Sequence, residues 1–178
     1  IGIKPAIIEN LAVEGTVNST DISVGGICGE ICGKNGIIRN CSFIGNVSGG
    51  EQAVGGVVGY IWRSGSVIDC YHNGTVTSNG GKIIGGVVGN IHTGGSEDSN
   101  TVLIQNCYHV GTLSGASDAT GTIAGIVSVD TQHESNVTIE NCYALQGEGN
   151  AIGSGKANTQ DITLLKSALM KAAASSLG

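Results

Sequence analysis

The stretch GGVVGYI at residues 55–61 returns as GGVVGNI at residues 85–91, and a near copy, GGICGEI, lies at residues 25–31. The three copies begin at residues 25, 55 and 85, so the interval between them is constant. A constant interval of this size is typical of repeat proteins, in which a unit buries its apolar face only by stacking on its neighbours. A degenerate fourth copy, AGIVS, follows at residues 124–128.

A second marker alternates with the glycine block. It reads IIENLAVEGTV from residue 7, IIRNCSFIGNV from 37, VIDCYHNGTV from 67, LIQNCYHVGTL from 103 and TIENCYALQG from 138. Its aligned copies give an asparagine column and a cysteine column: Asn10, Asn40, Asp69, Asn106 and Asn141, followed by Leu11, Cys41, Cys70, Cys107 and Cys142.

These repeats predict an all-β fold, a single-stranded and right-handed β-helix (β-solenoid) of about five coils. Successive coils of such a fold lie one strand spacing apart, about 4.8 Å, so equivalent residues stack into ladders. The chain is 40% hydrophobic but only 3% aromatic. The core is therefore expected to consist of thin layers of Val, Ile, Leu, Ala and Cys.

The alternation within the glycine block predicts which side chains point inward. Val57 and Ile61 share one parity with apolar counterparts in the other copies, so we expect them inside. Val58, Tyr60 and Trp62 share the other parity, and we expect them to face solvent or a partner.

The glycines and asparagines have expected backbone roles. We expect the leading glycine pair to turn a corner through positive φ, and the inner glycine, such as Gly59, to leave room for an opposing strand. The turn is the favoured role. We expect the asparagines to adopt left-handed backbone geometry at bends and to stack their amides. Asp69 interrupts the column and is tolerated best if it is partly exposed.

The alternation of GG[IV][CV]G with NC[YS]…GTV resembles the GLUG motif, a short repeat of bacterial surface proteins. The resemblance covers roughly residues 7–147 and rests on the copies quoted above. The motif is found in adhesin-like proteins of gut bacteria and beside the catalytic region of some IgA-specific metallopeptidases. The resemblance implies a β-solenoid at the cell surface or in a secreted protein, and it implies no catalytic residues.

The C-terminal sequence changes its period. In DITLLKSALMKAAASSLG, Leu165, Ala168, Leu169 and Ala172 recur at helical spacing. We therefore divide the chain into a GLUG-type solenoid at residues 1–158 and a capping α-helix at residues 159–178. A linker or docking helix is the alternative. The chain opens within the repeat pattern and without a signal peptide, so we interpret it as a piece of a larger protein.

The cysteines and histidines do not form a recognisable metal site. Stacked cysteines orient poorly for disulfides, and buried free thiols are the favoured interpretation. His72 and His109 share a column, so their rings are expected to stack. Two imidazoles can bind a metal, but no third ligand is evident, and we predict neither a metal site nor a cofactor.

The acidic residues do not form the paired carboxylates of a polysaccharide-cleaving β-helix. Glu97, Asp98, Asp130 and Glu134 lie in two insertions, at residues 93–100 and 129–136, that are expected to emerge from one edge. Solvated loop charge is the favoured interpretation, and a calcium site is the alternative. The sequence therefore predicts no catalytic residues and no enzyme.

The outward parity predicts a binding patch. Tyr60 and Trp62 share a face, Arg63 is adjacent, and Asn90 and His92 lie one coil away. Exposed Trp, Tyr and Arg dominate binding hot spots. The alternative is that Trp62 packs under a loop or against the terminal helix.

Charge and hydropathy limit the partners. The net charge is −6 with 8 Lys and Arg residues, which argues against nucleic acid, and no apolar run is long enough to span a membrane. We expect a non-catalytic structural or adhesive module that binds a host or microbial glycan or protein. The alternative is an accessory substrate-binding region, or a part, of a β-helix polysaccharide-active enzyme or surface peptidase.

Overall fold

The computed structural model describes residues 5–49, 52–80, 83–94, 100–115, 118–129, 136–145, 149–160 and 162–165. Over these ranges the fold is all-β, as predicted, and the paired strands are parallel. None of the described residues belongs to a helix long and apolar enough to cross a membrane.

The strands follow one another with short connections. In the described ranges they are β1 (Ile7–Asn18), β2 (Ser23–Gly25), β3 (Cys28–Gly49), β4 (Ala53–Gly55), β5 (Val58–Ile68), β6 (Tyr71–Ser78), β7 (Ile83–Gly85), β8 (Val88–His92), β9 (Val102–Gln105), β10 (Tyr108–Ser114), β11 (Ala119–Ser128), β12 (Val137–Glu140), β13 (Tyr143–Leu145), β14 (Asn150–Gly155), β15 (Asn158–Gln160) and β16 (Thr163–Leu165).

Strands of successive repeats pair into four ladders, and the long strands contribute to more than one of them. Ladder 1 is β2–β4–β7–β11–β14. Ladder 2 is β3–β5–β8–β11–β14. Ladder 3 is β1–β3–β5–β9–β12–β15. Ladder 4 is β1–β3–β6–β10–β13–β16.

The register places like residues on like. In ladder 2, Ile31 pairs with Ile61, and Ile61 pairs with Ile91. In ladder 4, His72 pairs with His109. The repeats of the sequence are therefore the rows of the structure, and each aligned column runs along the stack.

Two apolar clusters fill the space between the ladders. The larger one packs the isoleucines of ladder 2 against Ile38, Val67 and Ile104 of ladder 3 and includes the buried cysteines. The smaller one packs Val54 of ladder 1 and its counterparts against Phe43 and the valines of ladder 4. Apart from Phe43, both are built from aliphatic side chains and thiols, as the composition predicts.

The predicted parity is confirmed for most of the glycine block and wrong for one column. Ile61 is fully buried, and Tyr60 and Trp62 are half-buried on the other face. Val58, expected outside, is fully buried. The amides of Val57 and Val58 both donate to the carbonyl of Val87, so strict alternation fails at the bend where ladder 1 passes into ladder 2.

The leading glycine pair lies at a bend between β4 and β5, as predicted. The predicted positive φ is wrong, because neither Gly55 nor Gly56 has one. The second glycine of each pair instead lies against an aromatic ring. A Cβ on Gly26 would lie 2.5 Å from Cγ of Phe43, and one on Gly86 would lie 2.7 Å from Cγ of His109. Real Cβ atoms do not approach so closely, so glycine here makes room for the ring column.

The predicted role of the inner glycine is confirmed. A Cβ on Gly59 would lie 2.6 Å from the backbone nitrogen of Val24, and one on Gly89 would lie 2.9 Å from that of Val54. Ladder 2 therefore approaches the backbone of ladder 1 closely at this column, as expected for a narrow core.

The asparagine column adopts left-handed geometry, as predicted. The φ values are 56° at Asn10, 51° at Asn40, 53° at Asp69, 53° at Asn106 and 51° at Asn141. These residues form the corner at which ladder 3 passes into ladder 4. Asp69 is exposed, which also agrees with the prediction.

The prediction of a capping helix is wrong for the first residues of that segment. The chain forms β15 and β16 there, and these strands pair with β12 and β13. This segment adds a sixth row to ladders 3 and 4, where five rows were predicted, because edge hydrogen bonding of the preceding row outweighs its helical apolar spacing. The rest of the predicted helix, residues 166–178, lies outside the described residues, and the division into domains stays a prediction.

The parity can be tested by stability. Replacing Ile61 by Ala removes a fully buried side chain and should lower the free energy of unfolding by about 2–5 kcal/mol. Replacing Trp62 by Ala should lower it by much less, because this side chain is only partly buried on the outer face. Chemical denaturation measures both, and equal large losses would contradict the assignment.

The close approach of ladders 1 and 2 can be tested with a matched pair of glycines. Gly59→Ala should destabilise the protein by about 1–3 kcal/mol, because its Cβ would meet backbone atoms. Gly29→Ala, in the first row of the same column, should cost less, because its Cβ would meet only the Ser23 carbonyl oxygen at 3.1 Å. Thermal unfolding compares the two variants, and a larger loss for Gly29→Ala would refute the packing.

Candidate functional site

The structure brings together the residues of the predicted binding patch, which we call the Trp62 patch: Tyr60, Trp62, Arg63, Asn90 and His92. In ladder 2, Tyr60 pairs with Asn90 and Trp62 with His92. The Trp62 and His92 rings stack with centroids 4.7 Å apart and planes 5° from parallel. The Tyr60 ring is tilted by 58° against Trp62 at 6.0 Å.

Arg63 ends the patch at a corner. Its φ of 73° is left-handed, and it pairs in register with Gly33, which has a φ of 106°. The side chain of Arg63 is exposed. A positive charge thus stands at the rim of the patch, next to the half-buried Trp62.

The polar groups of the patch are partly desolvated. Burial raises the pKa of Tyr60, and the negative charge of Glu30 adds to this effect. Oδ1 of Asn90 is buried and has no hydrogen-bond partner within the described residues. Stacked rings, a phenol and an amide can bind a ligand, but they do not form a nucleophile with its base.

A second concave surface lies at the asparagine corner, and we call it the Asn/Tyr groove. Its volume is about 780 Å³. Two columns line it: the corner residues Asn10, Asn40, Asp69 and Asn106, and the outward residues Ala12, Ser42, Tyr71 and Tyr108. Leu11, Cys41, Ile44, Asn73 and Val110 complete the lining.

Hydrogen bonds join the corner residues in pairs. Nδ2 of Asn40 donates to Oδ1 of Asn10 at 2.6 Å, and Nδ2 of Asn106 donates to Oδ1 of Asp69 at 2.7 Å. The expected stacking of amides is therefore confirmed, with Asp69 accepting in place of an amide.

A stack of tyrosines borders the amides. The Tyr71 and Tyr108 rings lie 4.9 Å apart with planes 3° from parallel, and Tyr143 follows in register. Burial raises the pKa of Tyr108 to about 12, so its hydroxyl stays protonated. Sequence reasoning missed the groove, although the tyrosine that follows three of the cysteines was the signal for it.

The predicted histidine stack is confirmed. The His72 and His109 rings are parallel within 6° at 5.0 Å, and Phe43 stacks on His72 at 5.9 Å. Nε2 of His72 lies 2.9 Å from the Gly45 carbonyl oxygen, and the two Nδ1 atoms lie 2.9 Å apart. Because a carbonyl only accepts, the neutral pair has its protons on Nε2 of His72 and Nδ1 of His109.

The buried histidines are held neutral. Burial lowers the pKa of His109 to about 3, and burial also lowers the pKa of His72. Nε2 of His109 is buried without a partner among the described residues. An added proton therefore has no stable place in this pair.

The cysteine column consists of buried free thiols, as predicted. Each Sγ lies near two carbonyl oxygens, as at Cys107, whose partners are Gln105 at 3.1 Å and Val67 at 3.4 Å. Burial raises the pKa of Cys107 well above its ordinary value. The thiols therefore act as small apolar groups with weak hydrogen bonds.

No group of three or more His, Cys, Asp and Glu side chains that could hold a metal ion occurs among the described residues. The four acidic residues of the insertions, Glu97, Asp98, Asp130 and Glu134, lie outside the described residues. The calcium interpretation of that edge stays untested.

The histidine pair predicts acid sensitivity. The pKa of His109 is lower in the folded chain than its ordinary 6.5, so the unfolded chain binds more protons and stability is lost as pH falls from 6.5 towards 3. The double variant His72→Phe/His109→Phe continues the Phe43 column and should show a weaker pH dependence. Unfolding at a series of pH values measures this, and identical slopes would contradict the prediction.

The chain is similar to a protein-family model and to a solved structure. The family model described as the GLUG motif matches residues 50–77. This range contains one glycine block and the copy of the second marker that begins at residue 67. A crystal structure of a candidate immunoglobulin A1 protease from Bacteroides ovatus aligns over 97% of this chain with a TM-score of 0.67 and 23% sequence identity. At this identity the likeness shows the fold alone.

The alignment covers 53% of the Bacteroides ovatus chain, so the present chain spans about half the length of that protein. No curated protein matches the chain in sequence. The match to the family model confirms the resemblance to the GLUG motif, which the chain carries at residues 50–77.

Proposed function

We propose that the chain is a non-catalytic structural and adhesive repeat module, a right-handed β-solenoid, of a bacterial cell-surface or secreted protein. The observation that carries the proposal is the register: β1, β3, β6, β10 and β13 follow one another in ladder 4 with like residues paired. A stack whose rows share one continuous core acts as a stiff spacer.

The GLUG motif and the fold of the Bacteroides ovatus protein support a role as a module beside other domains. Cell-surface or secreted placement rests on the family resemblance. Adhesion rests on the Trp62 patch, because a stacked tryptophan with an arginine at its rim is typical of a binding hot spot. Its ligand is a host or microbial glycan or a protein.

One observation favours a second function. The fold neighbour is a candidate protease that is about twice as long as this chain. The chain therefore has an alternative role as an accessory substrate-binding region, or a part, of a surface peptidase or a β-helix polysaccharide-active enzyme. In this role the Trp62 patch binds substrate for a catalytic domain.

The experiment is a binding screen of the full chain on a glycan array and on immobilised immunoglobulin A. Trp62→Ala should weaken the binding of at least one glycan or protein ligand about tenfold or more, since hot-spot truncation costs about 2 kcal/mol or more. Tyr143→Ala is the control, because it removes a half-buried tyrosine far along another ladder. Binding that Trp62→Ala leaves unchanged for every ligand would remove the patch from the proposal.

Turnover decides between the two functions. The proposed module should cleave neither polysaccharide nor immunoglobulin A. Cleavage that is lost on changing Asp130 or Glu134 would favour the enzyme.

A further inference from the structure

The tyrosine stack of the Asn/Tyr groove ends within the groove. The column in ladder 4 reads Ala12, Ser42, Tyr71, Tyr108 and Tyr143, row by row. The Tyr71 and Tyr108 rings lie parallel, so each covers one face of the other. Tyr71 is the end ring, because Tyr108 covers one of its faces and the small Ser42 stands on the other side.

The amide column breaks at the same step. Asn40 bonds to Asn10, and Asn106 bonds to Asp69, but no hydrogen bond joins Asn40 to Asp69 among the described residues. Oδ1 of Asn40 and the second carboxylate oxygen of Asp69 are therefore available to a ligand. Asn40 belongs to the row of Ser42, and Asp69 belongs to the row of Tyr71.

The groove wall at this step is apolar and exposed. Leu11 is 41% exposed and Ile44 is 38% exposed. Ala12 and Ser42 occupy the positions that tyrosines fill in later rows. No ring stands over Ala12 and Ser42, so the groove has a recess here, which we call the slot, with the buried Ser42 at its floor and the half-buried Tyr71 beside it.

The charge of the groove selects a neutral ligand. Its lining contains one carboxylate, that of Asp69, and no lysine or arginine. The neighbouring Arg39 is paired with Glu9, whose Oε2 lies 2.6 Å from Nε of Arg39. An acidic sugar or a phosphate would thus meet Asp69 without a free cation beside it.

We propose that the Asn/Tyr groove binds a neutral glycan, with one pyranose ring seated in the slot and stacked on the open face of Tyr71. The apolar face of the sugar lies on the ring, as in other contacts of aromatic side chains with flat apolar surfaces. The hydroxyl groups at the sugar edge donate to Asn40 and Asp69. This inference goes beyond the proposed function, because it assigns the module a second binding surface that is separate from the Trp62 patch.

The groove is long enough for more than one sugar ring. Its corner residues span four rows, from Asn10 to Asn106, which is a length of roughly 14 Å at one strand spacing per row. The pairs of amides above and below the slot can bond the flanking sugars. An oligosaccharide is therefore a better ligand than a single sugar.

The experiment titrates the full chain by calorimetry with cellohexaose, mannohexaose, xylohexaose and chitohexaose, and with an acidic hexagalacturonate for comparison. At least one neutral oligosaccharide should bind, and the acidic one should bind more weakly. Tyr71→Ala removes the platform and should weaken the binding about tenfold or more.

A pair of substitutions at Ser42 tests the slot without removing any aromatic contact. Ser42→Tyr extends the tyrosine stack by one row and fills the slot, so it should abolish binding while thermal unfolding shows an intact fold. Ser42→Ala leaves the slot open and should bind as the unchanged protein does. Trp62→Ala, on the other surface, should also leave this binding unchanged.

The inference would be overturned by binding of none of the four neutral oligosaccharides or by stronger binding of the acidic one. Binding that Tyr71→Ala and Ser42→Tyr leave intact would overturn it too. If Trp62→Ala alone abolished glycan binding, the proposed adhesive function would stand and the groove would not be its site. Binding of an aromatic peptide in place of all four sugars would also overturn it.

Discussion

Parallel hydrogen bonding between consecutive repeats places each residue on its counterpart in the next row, one strand spacing away. A shift of one residue would send every inward side chain to the outer face. This constraint determines the composition of the chain. Each row must match its neighbours in size, so isoleucine stacks on isoleucine and thiol on thiol, and the core has no place for a single bulky centre.

Stacking in register also obliges polar residues to satisfy one another along the column. Asn40 bonds to Asn10, and the buried His72 and His109 share a hydrogen bond between facing nitrogens. The space opposite a column must match it too. Glycine stands against the rings of Phe43, His72 and His109. The ring column and the glycine column thus fill one layer of the core together.

Copies within one chain reveal which positions stay alike. For this reason the sequence could predict the repeat interval, the inward isoleucines, the left-handed asparagine corner and the free thiols. The role of Gly56 could not be predicted, since a positive φ and a nearby ring both require glycine. Val58 was misplaced because its own amide and that of Val57 both donate to one carbonyl at a bend. The row formed by β15 and β16 was missed because it follows the previous row at a much shorter interval and lacks the glycine block. The Trp62 patch was predictable from parity, whereas the Asn/Tyr groove was not, because it depends on the small size of Ala12 and Ser42 beneath a stack of larger rings.

Both proposed ligand surfaces depend on the same constraint, since each lies where a column changes its residue type. The most direct test of the register is the hydrogen bond between Nδ1 of His109 and Nδ1 of His72, which are 2.9 Å apart and come from neighbouring rows. Magnetic resonance on protein labelled with nitrogen-15 histidine can detect scalar coupling between these two nuclei at neutral pH. The account predicts this coupling, with the remaining proton on Nε2 of His72. Two uncoupled imidazoles that both titrate near the ordinary value of 6.5 would contradict it.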